Sequence, residues 1–179
     1  MKRVVVTGLG LVTALGNDVT TCWANLIAGK SGAGIITHFD SSKFKTQFAC
    51  EVKDLDVSNL FDPKELRRYD RYIHLAVKST EEAINNAGLH IQQEDPLRCG
   101  VIYGSGMGGV KTLDTNIGEF GAGDGTPRYS PFFIPMIITN MAAGLLAIRY
   151  GFQGVNFATT SACASSAHAI ANACYQIRM

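Results

Sequence analysis

No Cys-x-x-Cys pair occurs in this chain, and its five cysteines, Cys22, Cys50, Cys99, Cys163 and Cys174, form no even or regularly spaced set. Neither a zinc site nor a disulfide framework is expected, and four of the five are expected simply to pack. The four histidines, His38, His74, His90 and His168, have no metal-ligand spacing, so no metal is expected. Charge of one sign is lacking too. Sixteen Lys and Arg against fifteen Asp and Glu leave a formal charge of +1, too little for a broad footprint on nucleic acid. No apolar run approaches the roughly 20 residues that span a bilayer. The opening Met1-Lys2-Arg3 with its short valine run lacks the long apolar core and small-residue cleavage site of a signal peptide. Cytoplasm is the default location, with no membrane and no nucleic acid as partner. No internal repeat and no linker divides the chain.

What is present reads as globular: 46% hydrophobic against 17% charged residues, over a length of 179 that supports one sizeable core. Apolar runs alternate with helical patterns. Arg3 to Val6 has the look of a buried strand ended by glycines. Asn17 is placed to cap a helix whose Val19, Trp23, Leu26 and Ile27 recur at helical spacing before Gly29 stops it. Phe48 to Val52 reads as a short strand. Asp70 caps the clearest amphipathic helix, with Ile73, Ala76, Val77, Thr80, Ile84 and Ala87 on one face and Gly88 at its end. Cys99 to Tyr103 is the next buried strand, and the Gly- and Asp-rich stretch around Gly121 to Gly125 reads as an exposed loop. Ile138 to Tyr150 returns to helix and Val155 to Thr160 to strand. Strands separated by helices imply an α/β fold with a parallel sheet covered on both faces.

The last strand leads through Ser161 and Ala162 to Cys163, then into an alanine-rich helical stretch. A sulfur between strand and helix faces unpaired N–H groups and the positive end of the helix dipole, which favours its thiolate. Covalent catalysis by Cys163 is one reading of this placement; a free, buried cysteine is the other.

The segment Ser161-Ala162-Cys163-Ala164-Ser165-Ser166, with His168 and Ile170 behind it, resembles the nucleophile segment of the β-ketoacyl-acyl-carrier-protein synthases. The resemblance extends along the chain in order: Arg3-Val4-Val5-Val6-Thr7-Gly8-Leu9-Gly10, His38-Phe39-Asp40, Gly104-Ser105-Gly106-Met107-Gly108-Gly109, and Ser130-Pro131-Phe132-Phe133-Ile134-Pro135. The type II synthase of dissociated bacterial systems is the subgroup it is most similar to. The resemblance implies a thiolase-like, layered αβαβα architecture, of which residues 1–179 would hold most of the N-terminal half as one incomplete domain. It implies that members run to more than twice this length, so the chain is expected to be an N-terminal portion lacking the decarboxylation histidines and lysine. An apolar patch is then expected on a helix that the other half would cover.

On this resemblance Cys163 is the nucleophile of a decarboxylative condensation with malonyl-carrier, with no cofactor. Met107 is beside the acyl channel as its gate, and Phe133 with Ile134 lines an acyl pocket across a homodimer interface. Read without the resemblance, the bracketed segment Ser130 to Pro135 is a stiff, extended piece of ordinary core. Lys64, Arg67 and Arg68, with Arg71 beyond, share one helix face provided a helix starts at Pro63 and continues past Asp70. Such a cluster is commonly a solvated face; the resemblance implies that Lys64, Arg67, Arg68 and Arg128 dock the acidic acyl carrier protein. Related enzymes often carry two adjacent basic residues where this chain has Pro127-Arg128-Tyr129, which puts one carrier contact in doubt. His168, about 500° of helical rotation beyond the sulfur and so facing elsewhere, is expected to be structural.

Three alternatives stand beside this one. A polyketide ketosynthase would share the same motifs. A truncated, noncatalytic chain would bind only carrier protein or a partner synthase, though it would not need the Cys163 thiol. A nucleotide-binding domain is raised by Gly104-x-Gly106-x-x-Gly109 after a strand, but no second strand ending in an acidic residue follows. Glycines making room for close backbone packing are the plainer reading.

Overall fold

The computed structural model describes residues 2–179. In chain order the elements are α1 (Val19–Ile27), β1 (Gly34–Ile35), β2 (Phe48–Ala49), α2 (Pro63–Leu66), α3 (Arg71–Ala87), β3 (Val101–Gly104), α4 (Val110–Ala122), α5 (Phe133–Ile137), α6 (Met141–Tyr150), β4 (Asn156–Thr159) and α7 (Ser165–Arg178). They fall into two units. One comprises residues 2–6, 60–77 and 90–179; the other comprises 7–59 and 78–89.

In the smaller unit α1 is capped by Asp18, not by Asn17 as the sequence suggested. The Asp18 carboxylate accepts from the Thr21 N–H and hydroxyl, each at 2.7 Å, and those bonds hold it below its usual range. The Asn17 amide instead donates to the carbonyls of Lys53 and Asp54, fixing a turn in which Asp54 has φ of 51°. The apolar residues at helical spacing are exposed at Trp23, Leu26 and Ile27, and Cys22 is the buried residue of the helix. Segment 7–19 is held through its backbone. Glu82 accepts from the N–H groups of Leu11 (2.9 Å) and Val19 (2.7 Å), and Asn86 accepts from that of Leu9 (2.9 Å). Gly10 lies against the backbone there so closely that a Cβ would stand 1.8 Å from the Ser79 carbonyl. Phe48 to Val52, expected as a strand, is extended over Phe48–Ala49, where it pairs antiparallel with β1.

The larger unit is built on β3 and β4, paired in parallel with Val101 opposite Asn156 and Gly104 opposite Thr159. Helices α6 and α7 pack on this pair. Ile73, Val77, Ala142, Ala143 and Leu146 are completely or almost completely buried, with Leu60, Phe61 and Ala169 around them. The Arg149 guanidinium donates to the Leu60 carbonyl at 2.6 Å and lies over the Phe61 ring, and the Asn156 amide ties β4 to the Ala143 carbonyl of α6.

Four expectations are corrected in this unit. Arg3 to Val6 forms no strand: Val5 and Val6 are exposed, and β-branched propensity without a partner ladder leaves the run unpaired. Val110–Ala122, to which the sequence reading assigns no element, is a helix of 13 residues, and the exposed loop expected around Gly121 to Gly125 begins at Gly123. Ser130 to Pro135 is not extended. It turns at Ser130, whose carbonyl accepts from the Phe133 N–H, and enters α5, where Pro135 is the third residue and its missing N–H is one the helix start leaves unpaired anyway. The continuous basic helix is broken, because α2 ends at Leu66 and α3 starts anew at Arg71 behind Asp70. One cysteine also differs from expectation: Cys50, expected to pack, is exposed.

Candidate active site

The parallel register of β3 and β4 brings their C-terminal ends to one level, so the turns that follow, 105–109 and 160–164, emerge side by side. The Ser105 N–H extends the ladder by donating to the Thr159 carbonyl at 3.1 Å.

Cys163 is in the second turn. After β4 the chain makes a tight 3-10 turn, Ala162–Ala164, before α7 begins at Ser165. Ala162 sits at φ 48°, a left-handed conformation that costs a side-chain-bearing residue about 1–3 kcal/mol. Ser165, buried, holds the turn in that shape. Its hydroxyl accepts from the Ser161 N–H (2.9 Å) and donates to the Ala162 carbonyl (2.7 Å), and its own carbonyl accepts from the Thr159 hydroxyl (2.8 Å). Cys163 is thereby presented outward at the start of a 14-residue helix. The His168 Nδ1 meets the Ser161 hydroxyl at 2.6 Å, a bond across the base of the same turn. Ser165 was missed in the sequence; its only signal there is its position two residues beyond the cysteine.

The glycines of the first turn are spent on contact with protein. A Cβ on Gly104 would lie 2.6 Å from the backbone of Ser165 and Ser166, one on Gly108 2.2 Å from the Ile137 carbonyl, and one on Gly109 2.0 Å from the Met136 carbonyl. Gly106 faces Ala162. The fingerprint spacing thus serves the close approach of two turns and α5. Met107 stands at the apex, 74% exposed. At the start of α5, Phe133 is half-buried with its ring 5.1 Å from that of Tyr129, while Ile134 is exposed. Thr160 and Thr139 hydroxyls, 3.3 Å apart, join the cysteine turn to the segment after α5. The structure therefore brings Cys163, the Met107 turn and the end of α5 together. It leaves Met107 and Ile134 open to solvent.

The basic candidates divide. Lys64 is in α2, started by Asp62 and Glu65 in a reciprocal capping box, and Arg67 ends it. The Arg68 guanidinium lies 4.9 Å from the Phe132 ring centre, which sets this charge against the loop leading to Phe133. Arg67 lines a cleft of about 480 Å³ with Asp70, Arg71, His74 and Lys111. Lys111 escaped notice because α4 was not foreseen. Arg128 is paired with Asp124 at 3.3 Å on the surface. Near the cleft, burial holds His74 below its usual range, its ring edge-on to Phe61. Burial likewise pushes Tyr72 up to about 12, its hydroxyl donating to the Ile138 carbonyl. No helix among the described residues is long and apolar enough to cross a membrane.

Solved structures of ketosynthases share this fold. A β-ketoacyl synthase from Burkholderia phymatum matches all of this chain and 44% of its own, with a TM-score of 0.79 and 28% identity. The complex of a type II polyketide synthase acyl-carrier protein with its ketosynthase bound to the hexaketide matches 98% of this chain and 47% of that one, with a TM-score of 0.80 and 23% identity. The family model for the β-ketoacyl synthase N-terminal domain matches residues 1–179, and the chain belongs to that family. It is 45% identical over 172 residues to the 3-oxoacyl-acyl-carrier-protein synthase 2 of Synechocystis sp., covering 96% of this chain and 41% of that protein. The chain thus spans about two-fifths of the length of the curated relatives it matches.

Proposed function

We propose that residues 1–179 are the N-terminal thiolase-like domain of a β-ketoacyl-acyl-carrier-protein synthase of fatty-acid elongation. The observation that carries this is the exposed Cys163, held outward at a strained turn between β4 and α7. The Cys163 thiolate attacks the carbonyl of an acyl-carrier thioester; the carrier's sulfur leaves as the thiol after taking up a proton, and the acyl group stays on Cys163. Malonyl-carrier then loses carbon dioxide, and the electron pair of the broken bond makes a carbanion. That carbon attacks the acyl-enzyme carbonyl and expels the Cys163 thiolate, releasing a β-ketoacyl-carrier. Thioester exchange is nearly thermoneutral, so decarboxylation drives the new carbon–carbon bond. The Cys163 N–H supplies one donor for the developing oxyanions, and groups beyond this domain complete the site.

In this reading Met107 gates the acyl chain, and Phe133 and Ile134 line the pocket of a second copy in a homodimer; the exposure of Ile134 supports that role. Lys64, Arg67, Arg68 and Arg128 receive the acidic carrier, with Arg68 already set against Phe132. The exposed Ile170 and Ile177 of α7, seven residues apart on one side of the helix, fit a face covered by another part of the enzyme.

The test is acylation by a hexadecanoyl-pantetheine thioester, read by peptide mass spectrometry. One adduct on Cys163, absent from Cys163→Ala, is expected, and because the substitution is small and exposed the variant keeps its stability to within about 1 kcal/mol. An adduct that persists in Cys163→Ala overturns the nucleophile assignment.

A further inference from the structure

Helix α4 begins after Gly109, which has no side chain to cap it. Its cap comes from 42 residues away. Asp70 Oδ2 accepts from the N–H of Thr112, the third residue of α4, at 3.0 Å, and from the Thr112 hydroxyl at 2.6 Å. Asp70 Oδ1 accepts from the N–H of Tyr72, the second residue of α3, at 3.1 Å. One carboxylate, 6% exposed, thus serves the first turns of two helices and meets the positive end of both dipoles.

The turn that α4 follows is held on either side of Met107. Before it, the Ser105 N–H is bound to Thr159, the strand end that leads to the cysteine turn. After it, the Gly108 N–H donates to the Ser105 hydroxyl and the Gly109 N–H to the Ile137 carbonyl. Gly109 also packs on Asp70, where a Cβ would lie 3.1 Å from the Asp70 Cβ. The turn therefore has two anchors, β4 on one side and Asp70 with α5 on the other.

We infer that Asp70 is a positioning residue: by clamping the start of α4 it sets where the Met107 turn stands against the Cys163 turn, and so which acyl chains are admitted. The consequence for acyl chains rests on the function proposed above. The placement itself rests on the hydrogen bonds alone.

Thr112→Val tests this, since it deletes the hydroxyl bond while keeping the side-chain shape and the cap of α3. Thr112→Ser returns the hydroxyl. Cys163 is alkylated with iodoacetamide and, separately, with N-dodecylmaleimide, and the ratio of the two rates is compared. Thr112→Val is expected to change that ratio roughly threefold or more and to speed amide exchange at Gly108 and Gly109 roughly tenfold. Thr112→Ser is expected to match the parent in both. An unchanged ratio overturns the inference, whether or not exchange speeds up, because the clamp then only stabilises α4. Should Thr112→Val not fold, Asp70→Asn, which keeps an acceptor oxygen, is read the same way. Hexadecanoyl transfer to the parent chain is scored alongside: if it fails while the ratio shifts, the condensing function falls and the positioning role stands.

Discussion

Two carboxylates hold irregular backbone in the two units, and they do it differently. Asp70 is buried, caps its own helix and reaches a second helix start, so three donors converge on it. Glu82 is in the middle of α3, half-buried, and spans two N–H groups of segment 7–19, next to a helix whose Trp23, Leu26 and Ile27 lie open. The difference teaches where rigidity is concentrated. Around Cys163 a buried carboxylate, backbone contacts at glycines and the Ser165 hydroxyl fix the geometry. In segment 7–19 a similar device is more open, and water competes for the bonds at Leu9 and Leu11.

The contrast can be broken first at Gly104. A Cβ at this position would stand 2.6 Å from the backbone of Ser165 and Ser166, so Gly104→Ala forces β3 from the start of α7 and is expected to cost about 3 kcal/mol or more in urea unfolding. A loss under about 1 kcal/mol would mean that the two turns are not tightly seated. The carboxylates themselves come next. Asp70→Ala strips charge-assisted bonds from two helix starts and is expected to cost about 3 kcal/mol, against about 1–2 kcal/mol for Glu82→Ala. Equal losses in denaturant would show that burial does not separate them. The smallest effect is a pH dependence. His74 is held below its usual range by burial, with Asp70 opposing and Arg71 reinforcing the shift. The unfolded chain takes up this proton first, so the His74 contribution is intact above about pH 6.5 and is lost as pH falls toward the depressed folded value. Tm is expected to drop between pH 7 and 5.5, and His74→Phe to flatten that slope; an unchanged slope in the variant assigns it to other groups.

How much of this was legible in the sequence depends on how local its cause is. Helix α3 was readable from Asp70 to Gly88 because its cap, apolar face and terminating glycine lie within it. So were β3, β4 and the cysteine between strand and helix. Helix α4 was not, since Gly118 and Gly121 weaken its propensity and its cap is Asp70, far away in the chain. The helix at Phe133 was masked by Pro135, whose tolerance depends on its position within the first turn. The basic stripe failed for the reverse reason: spacing placed Lys64 and Arg71 on one face, but the bonds Asp70 makes start a new helix between them. Candidate residues near Cys163 were found by motif, whereas Ser165 and Lys111 matter through contacts that only the folded chain reveals.

The shared height of the two turns sets a rule for change in this region. Because Gly104 is level with Thr159 and Ser105 continues the ladder, one residue inserted into either strand end would raise its turn by about 3.3 Å relative to its neighbour. That is the length of a hydrogen bond and the reach of an attacking sulfur. Side chains such as Met107 can be exchanged one for another, while the count of residues from β3 to Gly109 and from β4 to Cys163 has to stay constant. Exchange of exposed side chains is open to this site, and insertion is closed.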